Sequence, residues 1–206
     1  DEPQEVSVDF NFGYGASDQQ GNQTFVSDST LANKYSIANY VRAFPQNFTL
    51  APQKRQVVRL RLNTPGDLEN GTYWARIKTS SSPVSRPVEI NTESEITANV
   101  GIVIEQVTGL FYKKGNVTTG IEIEEIRTQI ADTENLIIFT DIRRTGNSPF
   151  LGSIRNSIIK QSGEIVRDGF VSTSIYFDGT HRHEFDISDL PSGEYTVQVR
   201  FETRRS

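Results

Sequence analysis

Apolar and polar residues alternate with a period of two along most of this chain. Glu5-Val-Ser-Val-Asp-Phe-Asn-Phe12 places its apolar side chains on one face and its polar ones on the other, as a half-buried strand requires. Gln56-Val-Val-Arg-Leu-Arg-Leu62, Gly71-Thr-Tyr-Trp-Ala-Arg-Ile-Lys78 and Tyr195-Thr-Val-Gln-Val-Arg-Phe201 largely follow the same rule. Turn clusters such as Gly13–Gly21, Asn63-Thr-Pro-Gly66 and Arg144–Pro149 separate these runs. Short strands spaced in this way predict an all-β chain of sandwiches or barrels. The single helix-like stretch spans residues 121–135, and its Ile121, Ile123 and Ile126 suit a strand at least as well because isoleucine is β-branched.

A short motif occurs twice. Asp67-Leu-Glu-Asn-Gly-Thr-Tyr73 returns as Asp189-Leu-Pro-Ser-Gly-Glu-Tyr195, each copy feeding an alternating strand. Leu supplies a core contact, Gly allows a tight turn, and Tyr opens the next strand in the manner of the tyrosine corner of immunoglobulin-like folds. The 206 residues suit two domains better than one. The expectation is two tandem immunoglobulin-like β-sandwich domains, residues 1–114 and 115–206.

Composition narrows the function classes. A charged fraction of 23% beside a hydrophobic fraction of 35% fits a soluble globular chain. No apolar run is long enough for membrane insertion. The net charge of −5, with both signs interspersed and no basic run, argues against a nucleic-acid partner. Cysteine is absent, which removes disulfides, thiol nucleophiles and cysteine-based zinc sites. Methionine is absent too, so Asp1 is not a translation start. Removal of a signal peptide is one explanation and a recombinant truncation is the other.

Three stretches of the first half resemble one family. Phe48-Thr-Leu-Ala-Pro-Gln-Lys-Arg-Gln-Val-Val-Arg-Leu-Arg-Leu62, Gly71–Ile77 and Ala98–Lys113 follow the order and spacing of periplasmic pilus (fimbrial) assembly chaperones, the last ending in Leu110-Phe111-Tyr112 plus a basic residue. The resemblance spans roughly residues 36–115. It implies a periplasmic or secreted chaperone-like protein that binds a pilin-like protein subunit by β-strand addition. Aligned on Leu110-Phe111-Tyr112, the lending side chains would be Val100, Ile102 and Ile104; equally, these could face their own domain's core. The family's anchoring lysine falls on Gly109, and the first strands of its opening domain are missing here, because Val6–Phe12 aligns with the third.

Other chemistry is sparse. His181 and His183 share a strand face and could hold one ion, but no third ligand accompanies them, and a solvated edge is the expected setting. Glu122, Glu124 and Glu125, or Glu184 and Asp186, read as ordinary charged faces. No nucleophile elbow, phosphate loop or calcium loop is present. Trp74 suits either the buried sandwich tryptophan or an exposed aromatic patch with Tyr40 and Phe44. The sequence therefore predicts no enzyme, no metal and no cofactor. A structural or adhesive tandem module of a surface protein is the alternative function.

Overall fold

The computed structural model describes residues 2–84, 102–131 and 134–203. Among them are fourteen β-strands, one α-helix and one 3-10 turn, so the chain is all-β with several sheets. Two compact units interleave in sequence. One comprises Asp1–Gly13, Asp28–Leu68 and Tyr73–Tyr112; the other comprises Tyr14–Ser27, Glu69–Thr72 and Lys113–Ser206.

The first unit has a four-stranded sheet ordered β5-β1-β7-β8, from β1 (Gln4–Asn11), β5 (Asn47–Leu50), β7 (Gly71–Pro83) and β8 (Ile104–Lys114). Among the described residues its second layer is β4 (Val41–Phe44) against β6 (Arg59–Leu62). Side-chain parity fixes the inward face. Phe10 opposes Ile77 in the β1–β7 ladder, and Tyr73 and Ala75 share the face of Ile77. Tyr73 and Ala75 are buried with Ile37 and Val41, and Phe10, Leu62, Leu110 and Tyr112 pack around them.

The reverse face of β7 is also covered, at Trp74. This residue is 2% exposed, stacks on Phe12 and Tyr35 at 5.4 and 5.2 Å, and donates from Nε1 to the Gly13 carbonyl at 3.2 Å. Of the two sequence readings for Trp74, the buried one holds. Tyr35 arrives on α1 (Ser29–Tyr35), a helix that period-two reading passed over. Its signal is local: Asp28 caps it by accepting from the Thr30 and Leu31 amides at 2.7 and 3.0 Å.

The second unit stacks β13-β10-β9 on β12-β11-β14, from β9 (Ile121–Ile130), β10 (Asn135–Arg144), β11 (Phe150–Lys160), β12 (Ile165–Ile175), β13 (Gly179–Asp186) and β14 (Tyr195–Thr203). Ile138 of β10 and Ile158 of β11 meet in its core with Phe185. The β2–β3 hairpin (Tyr14–Ser17 and Gln23–Val26) belongs to this unit: Tyr14 packs edge-on to Phe177 at 4.7 Å, and Ser17 Oγ accepts from the Thr180 amide at 3.0 Å. Helix-like 121–135 contains a strand with a bulge. The register shifts between Asp141 and Ile142, leaving Glu124 unpaired, so Ile123 and Ile126 share the face of Ile142 and Thr140 despite their odd spacing, though both stay exposed at the sheet's edge. Tyr195 Oη donates to the Pro191 carbonyl at 2.8 Å, the backbone tie its motif predicted, while Tyr73 is buried in the first unit's core.

Asn147 joins separate segments of the second unit. Its side chain accepts from the Thr118 amide at 2.8 Å and donates to the Asn70 and Asn116 carbonyls at 3.1 Å, while its own carbonyl accepts from the Thr72 amide. Asn147→Ala removes the exposed side-chain bonds and keeps the Thr72 bond to its carbonyl, so it is expected to cost about 1 kcal/mol, read as a lower urea midpoint by circular dichroism. Trp74 is the sole tryptophan. Its blue-shifted emission should therefore report the first unit alone, and Trp74→Ala should cost about 3–5 kcal/mol.

Candidate functional site

Among the described strands, β8 closes its sheet with nothing paired beyond it. Its side-chain parity can be fixed at two points. Glu105 accepts from Lys78 Nζ at 3.0 Å and Ser80 Oγ at 3.2 Å, residues of β7 on the face opposite Ile77 and Thr79. Leu110 packs into the core. Counting by twos, Ile104, Gln106 and Thr108 lie on the core side of the sheet with Leu110, and Glu105 and Val107 lie on the reverse, while Ile102 and Val103 precede the strand.

The core-side position does not bury Ile104, and Ile102 just before the strand is exposed as well. Ile102 is 69% and Ile104 66% exposed, and every residue from 104 to 109 is exposed, whereas Leu110–Tyr112 are half-buried. Among the described residues of β8, Leu110 and Tyr112 join the cluster that contains Val41 of β4 and Leu62 of β6. Val100 lies outside the described residues. The ion pair with Lys78 stays in water; hydrogen bonding from Lys78 and then Ser80 holds the Glu105 carboxyl below its ordinary range, and Glu105 in turn raises Lys78.

Gly109 leaves no side chain where the resemblance places a lysine. A Cβ there would lie 3.1 Å from the Phe111 ring and 3.7 Å from Arg76 Nη1. Arg76, fixed by a 3.1 Å bond from Nε to the Gly13 carbonyl, brings a guanidinium to that spot from the neighbouring strand. Nothing in the local spacing announces that substitution, because the two residues meet only through sheet order.

The histidines are not on a solvated edge, as expected from sequence, but inside the second unit. Parity on β13 sends His181, His183 and Phe185 inward, opposite Thr140, Ile138 and Leu136 of β10. His181 Nε2 lies 3.5 Å from Asn156 Nδ2 of β11, and His183 packs edge-on to Phe185 at 4.4 Å. Gly169 of β12 makes the room: a Cβ there would sit 2.6 Å from His183 Nε2. Thr140 Oγ1 and Asn156 Oδ1 are buried beside this pair with no protein partner. The imidazoles, amide and hydroxyl are all neutral donors or acceptors, so a bound cation would lack an anionic ligand. Among the described residues no group of three or more His, Asp or Glu is placed to hold a metal ion. A cavity of about 40 Å³, bordered by Ser17, Tyr176, Thr180 and His181, adjoins the pair.

Burial, and next the neighbouring His183, push the His181 pKa down to about 4, and burial lowers His183 as well. No family model matches the chain, and neither a curated protein nor a solved structure does. No described helix is long and apolar enough to cross a membrane.

The histidine shifts set a pH dependence. A folded-state pKa below the unfolded 6.5 means the unfolded chain takes up the proton first as pH falls. Stability from these residues is therefore complete above about 6.5 and declines as pH drops towards 4. Urea midpoints for the second unit should fall across that window, and His181→Gln with His183→Gln should flatten the slope.

Proposed function

We propose that the chain is a periplasmic or secreted chaperone-like protein, built from two immunoglobulin-like sandwiches, that binds a pilin-like subunit by lending the edge strand β8. The observation that carries this reading is the exposure of Ile104, on the core side of a strand with nothing beyond it among the described strands, and of Ile102 just before it. An edge strand offers a row of free backbone donors and acceptors, and alternate apolar side chains beside it supply pockets or plugs for a partner strand. A strand serving only its own core would have those positions covered. The resemblance of residues 36–115 to pilus-assembly chaperones names the class of partner, and the Tyr195–Pro191 tie supports the immunoglobulin-like reading of the second unit. Arg76 beside Gly109 offers a cation near the position of the family's lysine.

Ile102→Asp with Ile104→Asp tests the reading. Both residues are exposed, so circular dichroism and the urea midpoint should stay unchanged. Co-purification with co-expressed pilin-type subunits should fall at least about tenfold, which corresponds to 1.4 kcal/mol. Retention of binding by the folded double variant would show that β8 is not the strand lent.

A further inference from the structure

In the second unit β9 is the outer strand of the β13-β10-β9 sheet, with nothing paired beyond it among the described strands. Its openness shows in its exposure: Ile121 is half-buried and every residue from Glu122 to Ile130 is exposed. Ile123, Ile126 and Thr128 share the face of Ile142, Thr140 and Ile138, all three of which are buried, and Ile130 continues the same stripe opposite Leu136. The isoleucines of the stripe nevertheless stay 38%, 41% and 66% exposed at positions 123, 126 and 130. Glu122, Glu125, Arg127 and Gln129 occupy the outward face. A long edge strand with an apolar stripe on its core side is a template for one further strand.

Charge along this edge is polarised. Glu122, Glu124 and Glu125 precede Ile126, whereas Arg127 and the neutral Thr128 and Gln129 follow it. A parallel copy of the strand would set acids against acids. An antiparallel copy, turned about a two-fold axis through Ile126, sets the acidic half against the other half. Ile126 then faces Ile126 of the second copy, and each Glu125 meets Arg127 across the axis. The bulge at Glu124 decides whether the rest fits. It absorbs one residue, so Thr128 comes opposite Ile123, Gln129 opposite Glu122 and Ile130 opposite Ile121, with the isoleucines kept on the core side. Without the bulge a one-residue slip would begin beyond Thr128 and put apolar side chains opposite outward polar ones. Each copy's own ion pairs leave this open. Arg127 binds Asp141 through Nε and Nη2, and Arg143 holds Glu122 and Glu124.

We infer that β9 is a self-recognition edge: two copies of the chain pair antiparallel through it, with Ile126 on the two-fold axis and each Glu125 opposite Arg127 of the second copy. The three-stranded sheets of the two copies then run together as one sheet. Charge complementarity chooses this occupant. The three glutamates turn away most strands, as an open edge requires, and a second β9 is a strand whose charge order answers theirs. Backbone hydrogen bonds and the covered isoleucines supply the attraction, while the Glu125–Arg127 pairs set the register. A two-fold contact of this kind closes on itself, so assembly stops at the dimer and no filament grows. The inference uses the second unit alone and stands apart from strand lending by β8.

Sedimentation of the full chain over a wide concentration range tests this. A contact made by one strand from each copy is small, so a monomer–dimer equilibrium with a dissociation constant on the order of 10 μM is expected. Glu125→Arg alone and Arg127→Glu alone should each weaken association at least about tenfold, because one sets Arg against Arg and the other Glu against Glu. Mixing the two variants should restore a one-to-one dimer, since every facing pair is again Arg with Glu; damage to the fold by either substitution would not be repaired by mixing. Ile126→Lys, at an exposed position on the axis, should abolish association with circular dichroism unchanged. A chain that stays monomeric up to about 1 mM overturns the inference, as that limit leaves under about 4 kcal/mol for association. A dimer indifferent to all three substitutions overturns β9 as the surface. Charge variants that stay apart when mixed overturn the register. A dimer lost only on Ile102→Asp with Ile104→Asp would move the contact to β8 and overturn it at β9.

Discussion

The structure depends on one geometric constraint: a β-strand shows its side chains alternately to two faces, and a face is buried only as far as another layer reaches. In the first unit four strands lie beneath two. Tyr73, Ala75, Leu110 and Tyr112 have a lid made by Ile37, Val41 and Leu62, while the same face of β8 further along is exposed and has none among the described residues. Ile104 is thus a core-side residue that stays exposed. Its exposure follows from the unequal layers and not from any irregularity of the strand.

In the second unit two three-stranded sheets match, and the constraint operates inward. It takes polar residues into the interior along with apolar ones, because Thr140, Asn156, His181 and His183 occupy inward parity positions on strands whose neighbours are fully engaged in ladders. Hydrogen bonding offsets part of the cost, and the imidazoles meet the rest by remaining neutral. Gly169 provides the volume for His183 that any larger residue would occupy. Tyr14 and Ser17, from early in the chain, pack on this unit's Phe177 and Thr180.

Alternation made most strands legible, including β1, β6, β7 and β14, because period two is a local property. The short helix α1 escaped because seven residues carry less than two full repeats of a helical pattern, and its best sign was the cap at Asp28. The isoleucines of β9 looked ambiguous because a bulge at Glu124 inserts one residue and breaks the period without changing the face. The histidines' i, i+2 spacing correctly put them on one face, but sequence did not say which. The arginines were invisible as a patch for a different reason. Arg42 and the pair Arg59 and Arg61 are far apart in sequence, and only the β4–β6 register makes them neighbours.

Charge at an open edge ordinarily protects a sheet from pairing with others. Glutamates on β9 fit that role, since Glu122 and Glu124 are held by Arg143 and Glu125 lies near Arg127, leaving little unmet demand. The β4–β6 face differs because Arg42 and Arg61 sit opposite one another and no carboxylate among the described residues pairs with them. Repulsion of this kind between exposed charges is screened by salt and is relieved further by an anion beside the two guanidiniums. A surface so arranged excludes most strands, including copies of itself, while improving its own energy on meeting an acidic one. Protection against indiscriminate pairing and preference for one kind of strand are then the same electrostatic term, seen with different partners.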